Sequence, residues 1–239
     1  MRFAQPLISA RFLRREKRFF IYASGDDGHE LVAHTNNTGR MSGCLHPGGT
    51  IWLSPAENPA RKLKWSLEVV ETPDGVPVGV NTALANLLVT EAITAGLLPD
   101  LAGFPVLRRE VRYGSRNSRI DILLADGPRN VWVEVKNVSL VEGGHGRFPD
   151  APSERGRKHL RELMEMVSAG DRAALVFCSQ RPDALTVGAA DDVDPEYGHL
   201  LREAAAHGVE IHGLGCQVDP GGILVNKLLE INLAPFESA

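Results

Sequence analysis

The chain changes its hydrophobic period once. Between residues 6 and 71, apolar and polar positions alternate in short runs at 6–14, 17–24, 29–35, 50–54 and 63–71. Alternation of this kind is the mark of half-buried strands. The runs are separated by turn chemistry, including Gly25-Asp26-Asp27-Gly28 and Pro47-Gly48-Gly49. Five short strands without a helix predict a small β-barrel of the OB type over 1–72, a form whose open face often binds oligonucleotides. Thr72-Pro73-Asp74-Gly75-Val76-Pro77 reads as a linker.

From residue 81 onward helical and strand periods interleave. A helix is predicted over 82–96, capped by Asn81 or Thr82 and stopped by Gly96. Strands follow at about 105–113, 119–124 and 131–137, then a helix over 153–169 and a strand at 172–178. Asp194-Pro195 opens a helix over 195–207 that Gly208 ends. A strand at 209–214 and a strand or strand pair within 223–233 complete the pattern. The expected class is mixed α/β: an OB-like barrel, then a mixed sheet flanked by helices over 81–239. Val141 to Pro152, with Gly143, Gly144 and Gly146, reads as a long loop of the kind that is often mobile or functional.

Composition adds limits. At 239 residues there is core enough to fold without staples. No apolar run approaches a membrane span, and the N-terminus lacks a signal-peptide pattern. Cys44, Cys178 and Cys216 are far apart and in no metal spacing, which predicts a reducing, cytoplasmic setting, with Cys178 in the core. A membrane partner is not expected, and oligomeric state is left open. Net charge is −4, yet residues 1–20 hold six basic side chains against Glu16 alone. Arg11, Arg14, Arg15, Lys17 and Arg18 interleave with Phe12, Phe19 and Phe20, as in grooves that bind single strands. Such a patch also suits an edge strand protected by its charges.

Chemistry concentrates mid-chain. Arg119-Ile120-Asp121-Ile122-Leu123-Leu124 and Val131-Trp132-Val133-Glu134-Val135-Lys136-Asn137 read as two strands of one hairpin. Alternation puts Glu134 and Lys136 on one face. A turn centred on Gly127-Pro128 sets Asp121 directly opposite Glu134, where like charges destabilise a sheet unless neutralised. A divalent cation, Mg²⁺ or Mn²⁺, held by Asp121 and Glu134 would do so and leave coordination sites for water and phosphate. Lys136 would orient the attacking water or stabilise a phosphorane. An exposed hairpin carrying Glu and Lys toward solvent fits the same tripeptide.

Two flanking helices extend the site. Glu91 falls near the centre of an arc of Leu84, Leu87, Leu88 and Ala95, where a carboxylate is costly unless paired or metal-bound. That reading makes it a third acidic contributor; a helix burying Val89 and Ile93 instead would leave it wet. Arg155, His159 and Glu162 line one flank of the 153–169 helix, with Lys158 nearby. Cations at a helix start oppose its dipole, which suggests phosphate contacts by Arg155, Lys158 and His159. Pairing with Glu162 or Glu154 on a solvated face is the ordinary alternative.

The chain resembles the prokaryotic sugar fermentation stimulation protein A family over nearly its full length. The resemblance is carried by Arg14-Arg15-x-Lys17-Arg18-Phe19, His34-Thr35-Asn36-Asn37-Thr38-Gly39-Arg40-Met41, Asn58-Pro59-x-Arg61-Lys62-Leu63 and Gly79-Val80-Asn81-Thr82. Ser118-Arg119-Ile120-Asp121, Glu134-Val135-Lys136-Asn137-Val138 and Phe148-Pro149-Asp150-Ala151-x-x-x-Arg155-Gly156-x-Lys158-His159-Leu160 continue it. It implies an N-terminal OB-like domain and a C-terminal domain of the PD-(D/E)XK nuclease superfamily, with that pattern on Glu91, Asp121, Glu134 and Lys136. It also implies DNA binding, single- or double-stranded and without marked sequence preference, and a link to regulation of sugar (maltose) metabolism. A metal-dependent DNA nuclease and a non-catalytic DNA-binding module with a vestigial site are the two readings. A sugar-processing enzyme has no Gly-rich phosphate loop or nucleophile motif to stand on.

Overall fold

The computed structural model describes residues 1–41, 43–56, 58, 60–113 and 118–235; Pro59 of the Asn58-Pro59 motif lies outside them. The alternating runs fold as β1 (Ile8–Glu16), β2 (Phe20–Ser24), β3 (Glu30–His34), β4 (Thr50–Pro55) and β5 (Trp65–Glu71). Their order is β3-β2-β1-β4-β5, and parallel pairing of Ala33 with Trp65 and His34 with Ser66 closes the sheet into a barrel. Alternate residues such as Ala10, Phe12, Ile21, Ala23, Ile51 and Leu53 point inward and form its core.

The stretch expected to be a linker is a hairpin turn. The Gly75 N–H donates to the Thr72 carbonyl and the Thr72 N–H to the Val76 carbonyl, each at 2.9 Å, and Gly75 takes φ 79°. Strand β6 (Pro77–Gly79) then pairs with β5. Pro-Asp-Gly suits a tight turn as well as a linker, and only the available edge of β5 decided between them. Close approach fixes the next residue: the Gly79 N–H donates to the Gln180 carbonyl at 2.8 Å, and a Cβ there would meet the Gln180 and Ile223 side chains.

Beyond it come α1 (Ala83–Thr94), β7 (Val106–Tyr113), β8 (Ser118–Ala125), β9 (Val131–Val138), β10 (Leu140–Glu142), β11 (His145–Phe148) and α2 (Glu154–Ser168). Then follow β12 (Arg172–Ser179), β13 (Thr186–Ala189), α3 (Pro195–Ala206), β14 (Glu210–Asp219), β15 (Gly222–Leu228) and β16 (Glu230–Asn232). The main sheet runs β15-β14-β12-β9-β8-β7, parallel at β9–β12 and β12–β14 and antiparallel elsewhere. Its central strands are covered on both faces, as parallel strands require. Helix α1 covers one face through Ala85, Leu88, Val89, Ala92 and Ile93. Helices α2 and α3 cover the other through Leu160, Leu163, Leu200, Leu201 and Ala204. Ser153 and Asp194 cap them, accepting from the N–H of Gly156 and Tyr197 at 3.0 Å each. Cys178 is buried in the α1-side core, beside Cys216.

The predicted 141–152 loop carries strand over 141–142 and 145–148. β10 and β11 form a hairpin around Gly143 and Gly144, both at positive φ, inside a second sheet β10-β11-β13-β16. These strands are three or four residues long, and beyond the β10–β11 hairpin they pair with partners distant in sequence, so no local period announces them. Glu91 corrects a second expectation. Helix α1 buries Val89 and Ile93, and Glu91 is exposed, paired with the Met1 amine at 2.9 Å. It is not a neighbour of the acidic pair. No helix among the described residues is long and apolar enough to cross a membrane.

Candidate functional site

β8 and β9 pair as Ile122↔Val133, Leu123↔Trp132 and Leu124↔Val131, the register that a turn centred on Gly127-Pro128 requires. The ladder ends one step before Asp121. There the side chain takes over from the strand: Asp121 Oδ2 accepts the Val135 N–H at 2.8 Å, and Oδ1 accepts from Asn86 Nδ2 of α1 at 2.8 Å. Val133 and Val135 pack into the core beneath α1, so alternation turns Glu134 and Lys136 to the opposite face.

Glu134 is 3% exposed and Lys136 is 7% exposed. Glu134 Oε1 accepts from Lys136 Nζ at 2.8 Å and is hydrogen-bonded to His159 Nδ1 of α2. Glu134 Oε2 is buried with no partner among the described residues. Burial drives the Glu134 carboxyl upward, but the Lys136 ammonium and the His159 contact outweigh it, so it sits below the usual carboxylate range. Asp121 moves the other way. Burial, reinforced by the Glu134 charge, raises it to about 6 against the opposing Val135, Lys136 and Asn86 contacts.

The pair fits a hard divalent cation. Two carboxylates, one with an orphaned buried oxygen, supply anionic oxygens, and Mg²⁺ characteristically keeps water and substrate oxygens in its remaining positions. Among the described residues no group of three or more His, Cys, Asp and Glu side chains forms a closed metal cage.

The acidic pair lies on the floor of a cleft of about 440 Å³ between the barrel and the main sheet. Asn36 to Gly39 form one wall, Thr82 and Asn86 a second, and Phe148 to Ser153 with Arg155 a third. Hydrogen bonds fix the barrel wall: Asn36 Nδ2 donates to Asn81 Oδ1 at 2.6 Å, and Asn37 Nδ2 to the Val80 carbonyl at 3.2 Å. Asp150 Oδ2 accepts the Met41 N–H at 3.1 Å, and its carboxylate fills the space a Cβ on Gly39 would need. Two segments more than a hundred residues apart in sequence thus meet over the acids.

The remaining predicted residues divide. Arg18 and Arg155 line the cleft, and Lys158 borders an adjoining hollow, 3.7 Å from Glu162. His159 is only 5% exposed and is turned onto Glu134, so it does not face solvent as a phosphate contact would. Arg155 Nε approaches its other nitrogen at 3.4 Å. Arg15 serves the fold, donating to the carbonyls of Arg18, Asn37 and Gly39. Arg14 pairs with Glu16 and Glu30 and stacks over Tyr22, its guanidinium carbon 3.8 Å from the ring centroid. Arg11 reaches Thr50 Oγ1 at 3.0 Å. Lys17 and Arg18 form the β1–β2 turn at φ 47° and 63°, exposed and without ion pairs among the described residues.

Asn86 was not foreseen. It lies five residues before Glu91, about 140° around the helix at 100° per residue, on the face that meets β8. Its only sequence signal is a polar side chain amid Leu and Ala. Glu162, fully buried, accepts from Ser118 Oγ at 2.7 Å and ties α2 to the start of β8.

Residues 13–80 match the family model described as SfsA N-terminal OB domain, and residues 83–222 match Sugar fermentation stimulation protein RE domain. The sugar fermentation stimulation protein homolog of Thioalkalivibrio sulfidiphilus is 52% identical over 235 residues, covering 98% of this chain and 99% of the relative. That of Paramagnetospirillum magneticum is 49% identical, with 98% of each covered. The solved structure of Pyrococcus furiosus SfsA in complex with Ca²⁺ superposes with a TM-score of 0.88 at 31% identity, covering 97% of this chain and 98% of that one. Barrel, mixed sheet and full-length similarity agree, and the chain belongs to the sugar fermentation stimulation protein family.

Proposed function

We propose that the protein is a cytoplasmic DNA-binding protein with a divalent-cation-dependent phosphodiesterase site, acting without marked sequence preference and linked to regulation of sugar (maltose) use. The single observation that carries it is the buried Glu134 Oε2, without a partner among the described residues, beside Asp121 on the floor of an open cleft. Mg²⁺ or Mn²⁺ held by Asp121 and Glu134 would supply charge neutralisation at a phosphodiester and an activated water. The Ca²⁺ bound by the Pyrococcus relative supports a site for a hard cation.

The chain's own residues account for the rest. Asn86 and the Val135 N–H hold Asp121 in one orientation. His159 holds Glu134. Lys136 places an ammonium where the attacking water or the developing phosphorane charge would lie. Arg18 and Arg155 on the cleft walls would take adjoining phosphates, and Lys17 would add charge at the barrel's hairpin tip. The barrel, 1–72 and its β6 continuation, would serve as the binding domain and 81–239 as the catalytic one. Three buried free thiols suit a reducing compartment.

One observation favours a binding module instead: Lys136 already supplies Glu134 with an internal counter-charge, and His159 occupies the same oxygen. The deciding experiment incubates end-labelled single- and double-stranded DNA with the protein in Mg²⁺, Mn²⁺ or EDTA, beside Glu134→Ala/Lys136→Ala. Metal-dependent cleavage lost in the variant is expected. Binding without cleavage under every condition would overturn the phosphodiesterase and leave the module.

A further inference from the structure

The central cleft is one part of a longer trough. Arg18, Thr38, Gly39, Ala151 and Pro152 belong both to it and to a hollow of about 430 Å³ that Arg15 and Arg40 complete. At the other end Arg155 and His159 belong both to the cleft and to a hollow of about 650 Å³ bordered by Arg119 and Lys158, with Glu110 and Glu154 also on its rim. The cleft over the acidic pair therefore shares walls with two cation-bearing hollows, one on the barrel at Arg15, Arg18 and Arg40 and one at α2 and the start of β8. Arg40 and Arg119 are exposed and in no ion pair among the described residues, so the fold does not engage their charge as it engages that of Arg15.

Depth decides what can reach the floor. Glu134 and Lys136 are almost fully covered, and the cleft above them is the size of a small-molecule pocket. Duplex DNA carries its phosphates on the rim of a rigid helix whose grooves alone are about 12 and 6 Å wide. A cleft of about 440 Å³ takes a segment of one strand and not the girth of a paired helix. Resting on the nucleic-acid reading above, we infer that the trough is the path of a single DNA strand. Its central phosphate lies over Asp121 and Glu134. Arg40 with Arg18 holds the phosphates on one side and Arg119 with Lys158 those on the other.

The test measures binding and cleavage separately, on wild-type protein, Arg40→Glu/Arg119→Glu and the milder Arg40→Gln/Arg119→Gln. Both positions are exposed, and an unchanged Tm verifies the fold. In EDTA, where no metal-dependent cleavage interferes, the charge reversal should weaken binding of a labelled single strand by about tenfold or more. It should also flatten the slope of log K against log salt by about 1.4, for two phosphates at roughly 0.7 each. Blunt-duplex affinity should stay within about twofold, and the glutamine pair should show a smaller strand-specific loss. In Mg²⁺ or Mn²⁺, wild type should cleave the single strand faster than the blunt duplex. Equal handling of duplex and single strand by the wild type, or a charge reversal that spares single-strand binding or weakens both equally, would overturn the path. Absence of cleavage on either substrate with a strand-selective binding loss would remove the phosphodiesterase and keep the path.

Discussion

Replacing Lys136 with Met keeps most of the aliphatic stem and removes only the ammonium that faces Glu134. The two groups stand 2.8 Å apart with side-chain exposures of 8% and 3%, so solvent does little to screen their interaction. Truncating one partner of a buried pair strands the other charge, at a cost of about 3–5 kcal/mol. For a chain of this size each kcal/mol moves Tm by about 2–4 °C, so Lys136→Met should melt about 6–20 °C below wild type near neutral pH. Adding Glu134→Gln removes the stranded charge while keeping a polar group against His159, and the double variant should recover most of the loss. The pH dependence has a definite sign. With Lys136 gone, burial of the Glu134 carboxyl loses its largest counterweight, so the deficit is small below the unfolded value of about 4.3 and grows as pH rises through it. In wild type the Glu134 carboxyl is lowered, so its contribution is full above the unfolded value and lost as pH falls through the folded one. Ca²⁺ should raise the Tm of Lys136→Met more than that of wild type, because the cation meets an uncompensated carboxylate. Thermal melts of the three proteins between about pH 3.5 and 8 suffice. A Lys136→Met protein within about 0.5 kcal/mol of wild type at pH 7.5, or a double variant no better than the single, would refute the buried-pair reasoning.

Asp121 gives the opposite sign: its carboxyl lies at about 6 in the fold, so its charge is a penalty above that pH, relieved as pH falls toward the ordinary value. Asp121→Asn should therefore stabilise by up to about 3 kcal/mol above pH 6, fading below it, while losing the Tm gain from Ca²⁺; stability that tracks wild type at every pH would contradict this. Asn86→Ala should weaken divalent-cation binding by releasing Asp121, whereas Glu91→Gln should leave cation affinity and any cleavage unchanged; calorimetric titration separates them. Arg15→Ala should lower Tm by several degrees through three orphaned carbonyls, and Arg18→Ala should instead lower DNA affinity at unchanged Tm. Asp194→Ala loses the α3 cap, the Ser153 N–H and the Arg157 ion pair together, so its melt should show a cost above the ~1 kcal/mol of a simple cap.

Local signals carried far in this chain. Alternation located β1 to β5, Gly and capping residues bounded α1, α2 and α3, and a turn centred on Gly127-Pro128 gave the β8–β9 register that faces Glu134 and Lys136 into the cleft. They succeed because period, caps and hairpin register are set within a few residues of one another. The short strands β10, β11 and β13 are not legible locally, because the β10–β11 hairpin is only three residues deep and its sheet is completed by pairing of β11 and β13 with remote chain. Glu91 was misplaced because α1 has apolar residues on nearly every flank, so its period could not say which flank the sheet would cover.

The sequence by itself determined the two-part mixed architecture, the hairpin bearing the acids and lysine, and a basic first strand. Tertiary structure alone decided that Asn86, not Glu91, meets Asp121, and that His159 is hydrogen-bonded to Glu134 instead of facing phosphate. It also decided that Arg15 is consumed by the barrel wall while Arg18, Arg40 and Arg119 are exposed and in no ion pair among the described residues. The physical reason is common to all three. A side chain's type and face are written locally, but whether its charge is buried, matched or left for a ligand depends on which distant carbonyl or carboxylate the packed fold brings within about 3 Å.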